Sequence, residues 1–351
     1  MITGLDIRCL KHPLIFRQPA RTSRDTLLEK PTWFLVARHP DGRMGVGECS
    51  LIPGLSPEHP LRAERALQAI AESGTLDPDG ITDAMPAVRF AVETALIDLL
   101  TPGDQVLFDG PFAQGDAGIP INGLIWMDTA ESMFEQAQAK LKQGFTTLKW
   151  KVGTMAFEEE LDLVRQIRNA SAGATLRVDA NGAFSKEEPG WTPLSKCKAL
   201  AEFGLHSIEQ PLKPGNWKAT AELVRESPLP IALDEELIGL SSTELRRGML
   251  GLIQPAYVVL KPSLIGGLKE ANHWMDLASE MGAGWWATSA LESNIGLNAI
   301  SQWAADALMD EKDPLPQGLG TGGLFVNNIA SPLVVTGGEL WTGKSPWEPV
   351  W

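Results

Sequence analysis

Two lysines one residue apart lie in a stretch that otherwise has the composition of a buried strand. Lys149 and Lys151 flank Trp150 within residues 147–153. Side chains two residues apart on a strand point to the same face of the sheet, so both amines enter the same space. A packed apolar core would reject two charges. We therefore predict that this strand lines a polar cavity.

Charged residues also end four later strand-like runs in the sequence. Three of them are acids and the fourth is a lysine: Asp179, Glu209, Asp234 and Lys261. They recur at roughly the 25 to 30 residue spacing of one strand–helix unit in a β/α barrel. Parallel barrels carry their catalytic groups at the carboxyl ends of the strands, which meet at one face. We therefore expect these residues and the lysine pair to form one site.

Three converging carboxylates repel each other unless a cation lies between them. A hard divalent cation resolves this repulsion, and Mg²⁺ favours oxygen ligands while leaving positions for water and substrate. The sequence has only five histidines, none of them in this pattern, which disfavours Zn²⁺. Asp179, Glu209 and Asp234 are therefore the predicted ligands of Mg²⁺, with Mn²⁺ as the alternative.

A metal between two lysines on different strands suits removal of a weakly acidic proton beside a carboxylate. The metal would stabilise the enediolate, and a neutral lysine would accept the proton. The pKa of that lysine must fall from about 10.4 to roughly 7 or 8, and burial beside other cations lowers it. We favour Lys151 as the base because it lies nearer the strand end. Lys149 and Lys261 would supply the neighbouring positive charge.

Each of these features has a structural explanation when it is taken alone. The lysine pair could lie on a solvated edge strand, and Asp179 with the Asn-Gly that follows could form a turn. Asp234 could begin a helix, while Glu209 and Lys261 could be solvated. Five charged residues at the ends of successive strands are hard to obtain from independent surface positions. The joint pattern therefore favours a site.

The composition limits the classes of partner. The net charge of −14 opposes nucleic acid and anionic membranes, and no cluster of basic residues offsets it. The three cysteines are odd in number and lack CxxC spacing, which favours a reducing compartment. The sequence begins without a signal-peptide pattern and contains no apolar run of membrane-spanning length. We expect a cytoplasmic protein that acts on a small molecule.

The first hundred residues predict a compact α+β unit. Two strands at 32–38 and 44–49, joined by an Asp-Gly turn, are typical of a hairpin. Apolar residues at helical spacing predict helices at 60–72 and 87–100. A different organisation begins after this unit.

From residue 119 onward, strands and helices alternate, which is typical of parallel βαβ units. A first strand is expected at 119–125, a seventh at 284–288 and a weak eighth at 317–319. The predicted helices are 129–142, 157–170, 194–203, 217–225, 241–251, 266–281 and 295–308. The tail from Gly320 is rich in Gly, Pro and Trp, and we expect it to pack on the N-terminal unit.

With these residues in place, the sequence resembles the enolase superfamily, and within it the muconate-lactonizing type. The lysine pair is similar to the Lys-x-Lys motif of that family, and the three acids to its metal ligands. Residues 261–267 resemble its strand-six lysine motif. The resemblance covers nearly the whole chain. It implies a modified TIM barrel, (β/α)7β, over residues 111–319, with an α+β capping domain formed by residues 1–110 and 320–351.

Two loops indicate which members of the family the sequence resembles most. Residues 289–297 and 318–325 are similar to the loops of o-succinylbenzoate synthases, and the Asp-x-Asp of dipeptide epimerases is missing. This implies dehydration of 2-succinyl-6-hydroxy-2,4-cyclohexadiene-1-carboxylate to o-succinylbenzoate in menaquinone synthesis. Lys151 would take the α-proton and then help hydroxide leave, while Lys261 would stabilise the enediolate by charge. The rivals are an N-succinylamino acid racemase or another epimerase of the muconate-lactonizing type, and a barrel that only binds a carboxylate, which would need a broken ligand set.

The resemblance and the loop positions also suggest residues that contact the substrate. The predicted set is Ser289, Glu292, Ser293, Asn181, Ser263, Leu55 and Arg21. The last two lie in segments without periodicity, 50–56 and 18–24, which we expect to be mobile loops that close over the substrate. The sequence does not predict an oligomeric state.

Overall fold

The computed structural model describes residues 1–21, 26–101, 104–171 and 173–348. The N-terminal part consists of β1 (Asp6–Lys11), β2 (Leu14–Arg21), β3 (Thr26–Lys30), β4 (Thr32–Arg38), β5 (Met44–Ser50), α1 (Pro60–Ser73), a 3-10 turn (Pro78–Gly80) and α2 (Pro86–Leu100). An antiparallel sheet has the order β1-β4-β5, and β2 pairs with β3 in a second sheet. The predicted hairpin and both predicted helices are confirmed.

Helix α2 lies directly against strand β5. Two glycines of that strand allow this close approach, because a Cβ at Gly45 would lie 2.1 Å from the carbonyl oxygen of Ala95. A Cβ at Gly47 would lie 1.9 Å from the carbonyl oxygen of Ala91. The apolar side of α2 and the sheet thereby enclose the core of the N-terminal part.

The predicted loop at 18–24 is wrong for its first four residues. Residues 18–21 continue β2, and Ala20 and Arg21 pair with Leu27 and Thr26 of β3. The register shifts between Ile15 and Ala20, so the apolar alternation of a regular strand is interrupted there. Residues 22–25 lie outside the described part of the chain.

The second part alternates strands with helices. The strands are β6 (Ile119–Pro120), β7 (Gly123–Ile125), β8 (Thr147–Lys151), β9 (Thr175–Asp179), β10 (Ser207–Glu209), β11 (Ile231–Leu233), β12 (Tyr257–Leu260) and β13 (Gly284–Ala287). The helices are α3 (Pro111–Gln114), α4 (Ala130–Lys142), α5 (Phe157–Ala170), α6 (Pro193–Ala201), α7 (Trp217–Glu226), α8 (Thr243–Ile253), α9 (Pro262–Ile265), α10 (Leu268–Glu280) and α11 (Asn294–Ala307), with a 3-10 turn at Glu235–Leu237. In the described residues no helix has both the length and the apolar character that crossing a bilayer requires.

Side-chain caps lie at the starts of several of these helices. The Thr129 side chain accepts a hydrogen bond from the main-chain N–H of Ser132 at the start of α4. Asn216 and Ser242 cap α7 and α8 in the same way. Such caps satisfy N–H groups that have no partner within the helix, so each connection from strand to helix is fixed locally.

Seven parallel strands, β7 to β13, follow chain order in one curved sheet. Residues 317–318 join its two ends through parallel bridges from Gln317 to Ile121 and from Gly318 to Thr288. The predicted eighth strand is therefore reduced to two bridges, which explains its weak signal. The (β/α)7β barrel with an N-terminal α+β unit is confirmed.

The C-terminal tail contacts both parts of the molecule. Its residue Leu324 accepts a hydrogen bond from Arg17 of β2, at 2.8 Å. Strands β14 (Leu333–Thr336) and β15 (Glu339–Thr342) form a hairpin, and β15 pairs with β6. The predicted first strand is thus divided between two sheets, because β6 pairs with the tail and β7 with the barrel. The division into a capping domain and a barrel at the boundaries given above stays a prediction.

Candidate active site and metal centre

Three acids meet where neighbouring barrel strands end. Asp179 ends β9, Glu209 ends β10, and Asp234 follows β11. One carboxylate oxygen from each lies within 4.8 Å of the others, and the residues are only 4%, 0% and 2% exposed. The strand register produces this arrangement, because Asp179 is paired with Glu209 on one side and with Lys151 on the other.

Lys149 and Lys261 form ion pairs with these acids. The Nζ atom of Lys149 bonds to Glu209 and lies 3.3 Å from Oδ2 of Asp179. The Nζ atom of Lys261 lies 2.5 Å from Oδ2 of Asp234. Burial lowers the pKa of each lysine, but the acids outweigh burial and the net effect raises both pKa values. Both amines are therefore held in the charged form.

Lys151 differs from the other two lysines. It is half-buried at the end of β8, and within the described chain it makes no ion pair. Burial lowers its pKa, and the charges of Lys261 and Lys149 lower it further, against opposing effects of Asp179 and Glu235. Of the three lysines, Lys151 is the one whose pKa moves toward neutrality.

The acids fit a hard divalent cation. Atom Oε1 of Glu209 is buried and has no hydrogen-bond partner among the described residues. Burial raises the pKa of Glu209, and the charges of Asp179 and Asp234 raise it further. Lys149 bonds to the other oxygen, Oε2, and its charge opposes these effects, so Oε1 is the atom left for a cation. Since all three donors are carboxylates and none is histidine, the set suits Mg²⁺ and disfavours Zn²⁺.

Two residues with left-handed backbone support the acids. Asn181 has φ 41°, and its main-chain N–H donates to Oδ1 of Asp179 at 3.0 Å. Gln210 has φ 39°, and its side-chain oxygen accepts from the N–H of Asp234 at 3.0 Å. Such conformations are uncommon for residues other than glycine and concentrate at functional sites. Here they orient two of the three acids.

Glu235 is a site residue that the sequence pattern does not indicate. It follows Asp234 in the sequence, where a run of acids resembles an ordinary helix start. In the structure it lines the same cavity as Lys151 and accepts a hydrogen bond from Nδ2 of Asn181 at 2.9 Å. Its other oxygen, Oε2, is buried without a partner among the described residues. That unpartnered oxygen distinguishes it from a helix-capping acid, but the sequence does not reveal it.

A cavity opens above the acids, at the carboxyl ends of the strands. One wall is charged and carries the lysines, Asp179 and Glu235. Another wall is apolar and includes Ile52 and Leu55 of the N-terminal part with Trp126 of the barrel. The predicted loop around Leu55 therefore reaches the cavity. The Arg21 side chain lies outside the described residues.

The remaining wall lies at the seam where the barrel closes. Asn122, Thr288 and Thr321 line the cavity there, on the first, seventh and eighth strand positions. In each of them a buried side-chain oxygen has no hydrogen-bond partner among the described residues. In the strand order this seam lies across the barrel from the acids on the third to fifth strands. The cavity therefore has hydrogen-bonding groups at both ends.

The predicted substrate contacts after β13 divide into two groups. Ser289 lines the cavity, as Asn181 does after β9. Glu292 instead lies behind the cavity wall, where it accepts hydrogen bonds from Ser263 at 2.5 Å and Ser289 at 2.6 Å. Ser293 donates to Glu48 of the N-terminal part at 2.5 Å. The structure thus places Ser263, Glu292 and Ser293 in a buried polar network and not on the cavity surface.

Comparisons with known proteins agree with this geometry. Residues 132–341 match the family described as Enolase C-terminal domain-like. An o-succinylbenzoate synthase from Desulfotalea psychrophila is 46% identical, over 97% of this chain and 99% of the relative. The crystal structure of MenC from Desulfotalea psychrophila has a TM-score of 0.84 and 41% identity, and the match covers 97% of this chain and 100% of that one.

A more distant relative represents the rival activity. The N-succinylamino acid racemase of an Amycolatopsis species is 27% identical, over 97% of this chain and 92% of the relative. Both relatives and the matched crystal structure cover nearly the whole chain. The family resemblance seen in the sequence is confirmed, and this chain belongs to the Enolase C-terminal domain-like family.

Proposed function

We propose that this protein is an o-succinylbenzoate synthase. It would dehydrate 2-succinyl-6-hydroxy-2,4-cyclohexadiene-1-carboxylate to o-succinylbenzoate and water in menaquinone synthesis, with Mg²⁺ as its cofactor. The observation that carries the proposal is the convergence of three buried acids with Lys151, the lysine whose pKa is lowered. The similarity to a synthase over nearly the full length of both chains supports the choice within the family.

Each lysine has a separate role in this proposal. Lys151 accepts the α-proton of the substrate as a neutral amine, and the resulting ammonium donates a proton to the departing hydroxide. Lys261 stays protonated beside Asp234 and contributes positive charge. Lys149 holds Glu209 and Asp179 in place through its ion pairs. A bound Mg²⁺, held by the three acids, supplies several kcal/mol of stabilisation for the charge that develops on the substrate carboxylate.

The walls of the cavity support one orientation of the substrate in this proposal. Its ring carboxylate faces the acids and lysines, and its apolar ring packs on Ile52, Leu55 and Trp126. The succinyl group then extends toward the seam, where Thr288 and Thr321 have unpartnered hydroxyl groups. The succinyl group ends in a second carboxylate, which would accept hydrogen bonds from these hydroxyl groups.

The test is a spectrophotometric assay with the cyclohexadiene acid and Mg²⁺. We expect the wild-type protein to form the aromatic product. Since a positioned general base contributes about 10² to 10⁴ in rate, Lys151→Ala should lose at least the lower end of that range. Absence of product with the wild-type protein, or full activity of Lys151→Ala, would reject the proposal.

Racemisation of an N-succinylamino acid is the second candidate, because Lys151 and Lys261 line the same cavity. Two-base exchange needs each lysine to act as a base. In the metal-free protein, the ion pair of Lys261 with Asp234 opposes that role. Incubation of an N-succinylamino acid in D2O tests the point, and rapid loss of the α-proton signal would show that the protein also racemises.

We also propose that the protein works in the cytoplasm on a small carboxylate. The thiols of Cys9, Cys49 and Cys197 are free, and two of them are buried, which suits a reducing compartment. Recovery of the native protein from a periplasmic fraction would contradict this location.

A further inference from the structure

Lys30 of the N-terminal part is fully buried and has all three ammonium protons bonded. Its Nζ atom donates to Oγ of Ser50 at 2.7 Å. The other two bonds cross to the barrel, to the carbonyl oxygens of Ala290 at 2.8 Å and Leu291 at 2.9 Å. Burial lowers the pKa of Lys30, and the nearby carboxylates of Glu292 and Glu48 oppose that effect. A buried ammonium group with three acceptors fixes their relative positions closely.

The segment that Lys30 holds is a wall of the active-site cavity. Residues 288–291, which follow β13, all line that cavity. Leu291 has φ 62°, a left-handed conformation that costs energy for a residue with a branched side chain. Such a conformation persists only when surrounding contacts impose it. The bond from Lys30 to the Leu291 carbonyl is one of those contacts.

Glu48 provides a second link from the N-terminal part to the same region. Its carboxylate accepts from the main-chain N–H groups of Ser293 and Gly296, each at 2.8 Å, and from the Ser293 hydroxyl. These groups lie at the start of helix α11, directly after the cavity wall. A side chain at Gly296 would bring its Cβ within 3.0 Å of Glu48, so glycine allows this close approach. The wall is thus held by Lys30 and anchored by Glu48.

We propose that Lys30 and Glu48 are positioning residues for the cavity wall: Lys30 holds residues 288–291 in their substrate-binding conformation, and Glu48 anchors the helix start that follows them. The contact between the N-terminal part and the barrel then sets substrate affinity, although neither side chain touches the reacting atoms. The chemical groups stand at the ends of other strands, β8 to β12, and in the described chain neither Lys30 nor Glu48 bonds to them. One link from the segment after β13 to those strand ends is the bond from Ser263 to Glu292. The inference rests on the proposed function for its kinetic test and on the contacts alone for its structural test.

Glu93 provides a matched control within the same chain. It also reaches from the N-terminal part to a barrel helix, where it accepts from the N–H groups of Leu268 at 2.6 Å and Lys269 at 2.8 Å. These two residues begin α10 and are not part of the described cavity lining. Glu93→Gln therefore perturbs the same interface without touching the cavity wall.

The experiment compares Lys30→Met, Glu48→Gln and Glu93→Gln in the full-length protein with Mg²⁺. For the first two we expect KM to rise on the order of tenfold to a hundredfold, with a much smaller change in kcat. Glu93→Gln should leave KM unchanged even where its melting temperature falls equally. If Lys30→Met does not fold, Ser50→Ala removes one of the three Lys30 acceptors and should raise KM in the same direction.

A second measurement is independent of catalysis. Hydrogen–deuterium exchange of peptides covering residues 288–294 should accelerate in Lys30→Met or Ser50→Ala and stay slow in Glu93→Gln. If the wild-type protein fails to turn over the acid, the proposed function fails and the exchange result still decides the role of Lys30. Unchanged exchange in both variants, or equal KM effects in Lys30 and Glu93 variants, would overturn the inference.

Discussion

The barrel mouth and the N-terminal part both bury acids, but the acids are partnered differently. In the barrel mouth, Asp179, Glu209 and Asp234 converge within 4.8 Å, and one oxygen of Glu209 has no partner in the described chain. In the N-terminal part, Asp98 accepts from the N–H of Val46 at 2.9 Å and stands apart from that cluster. In the N-terminal part Glu58 also has a buried oxygen, Oε2, without a partner among the described residues. Neither burial nor an unpartnered oxygen alone therefore identifies a binding site, whereas the convergence of several acids does.

The difference has an energetic basis. A single buried acid bonded to main-chain N–H groups fixes a helix start or a loop, as Glu58 does at Ala87 on helix α2. Converging acids repel each other, and the ion pairs of Lys149 and Lys261 offset this repulsion while leaving Oε1 of Glu209 without a partner in the described chain. The N-terminal acids thus contribute to folding, whereas the barrel acids favour the binding of a cation. Three substitutions separate these roles.

The largest effect is expected from Glu209→Gln. Several kcal/mol of metal-dependent charge stabilisation corresponds to a loss of turnover on the order of a thousandfold. Mg²⁺ should raise the melting temperature of the wild-type protein and not that of the variant, because only a binding-competent native state gains from ligand. The exposed acid at Glu226 on helix α7 serves as the control. Equal metal stabilisation of Glu209→Gln and the wild type would remove Glu209 from the metal centre.

A moderate effect, on stability alone, is expected from Glu58→Gln. Burial raises the pKa of Glu58 to about 7, above the usual value for an unfolded chain. Its contribution to stability is therefore complete below pH 4 and is lost as the pH rises through 7, a change of about 3 kcal/mol. Glutamine removes this dependence on pH. The free energy of unfolding of the variant, relative to that of the wild type, should therefore rise between pH 4.5 and 8.

Urea unfolding at several pH values measures this gap in the free energy of unfolding between Glu58→Gln and the wild type. The same substitution at exposed Glu72 should give a gap that does not vary with pH. Since Glu58 is assigned a structural role, Glu58→Gln should retain wild-type turnover near neutral pH. A loss of turnover comparable with that of Glu209→Gln would break the distinction between the two regions.

The smallest effect is expected from Thr321→Val at the barrel seam. If unpartnered buried oxygens that line the cavity identify ligand contacts, loss of the Thr321 hydroxyl removes about one hydrogen bond to the substrate and raises KM about five- to tenfold. Stability should not fall, because the hydroxyl has no partner in the described chain. Thr220→Val is the matched control, since that hydroxyl bonds to the carbonyl of Asn216 at 3.1 Å. The control should lose stability and keep its KM. A loss of stability in Thr321→Val with an unchanged KM would show that unpartnered oxygens do not identify ligand contacts.

The sequence predicts the parts of the site that follow the strand–helix repeat. Lys151, Asp179 and Glu209 each end a strand, and the parallel register places them side by side. The fold class and the family are predictable for the same reason, because both depend on local periodicity and on motifs at strand ends. Both predictions are confirmed. Where the alternation is interrupted, as in residues 18–21, the prediction of a loop is wrong.

The rest of the site depends on contacts between distant residues. Lys30 and Leu291 are separated by 261 positions, and Glu48 and Gly296 by 248. No pattern within either segment shows that the two will meet. The unpartnered oxygens of Thr321 and Glu235 are likewise invisible in the sequence, since partnering is a property of the folded surroundings. The sequence therefore predicts the chemistry of the strand ends better than it predicts the walls that hold the substrate.

The most direct test of the central claim is the location of the metal. Crystals grown with Mn²⁺ in place of Mg²⁺ should give one strong anomalous peak at the mouth of the barrel. We predict that it lies about 2.0 to 2.3 Å from one oxygen each of Asp179, Glu209 and Asp234, a usual range for metal–carboxylate bonds. A peak elsewhere, or no peak at saturating Mn²⁺, would contradict the account.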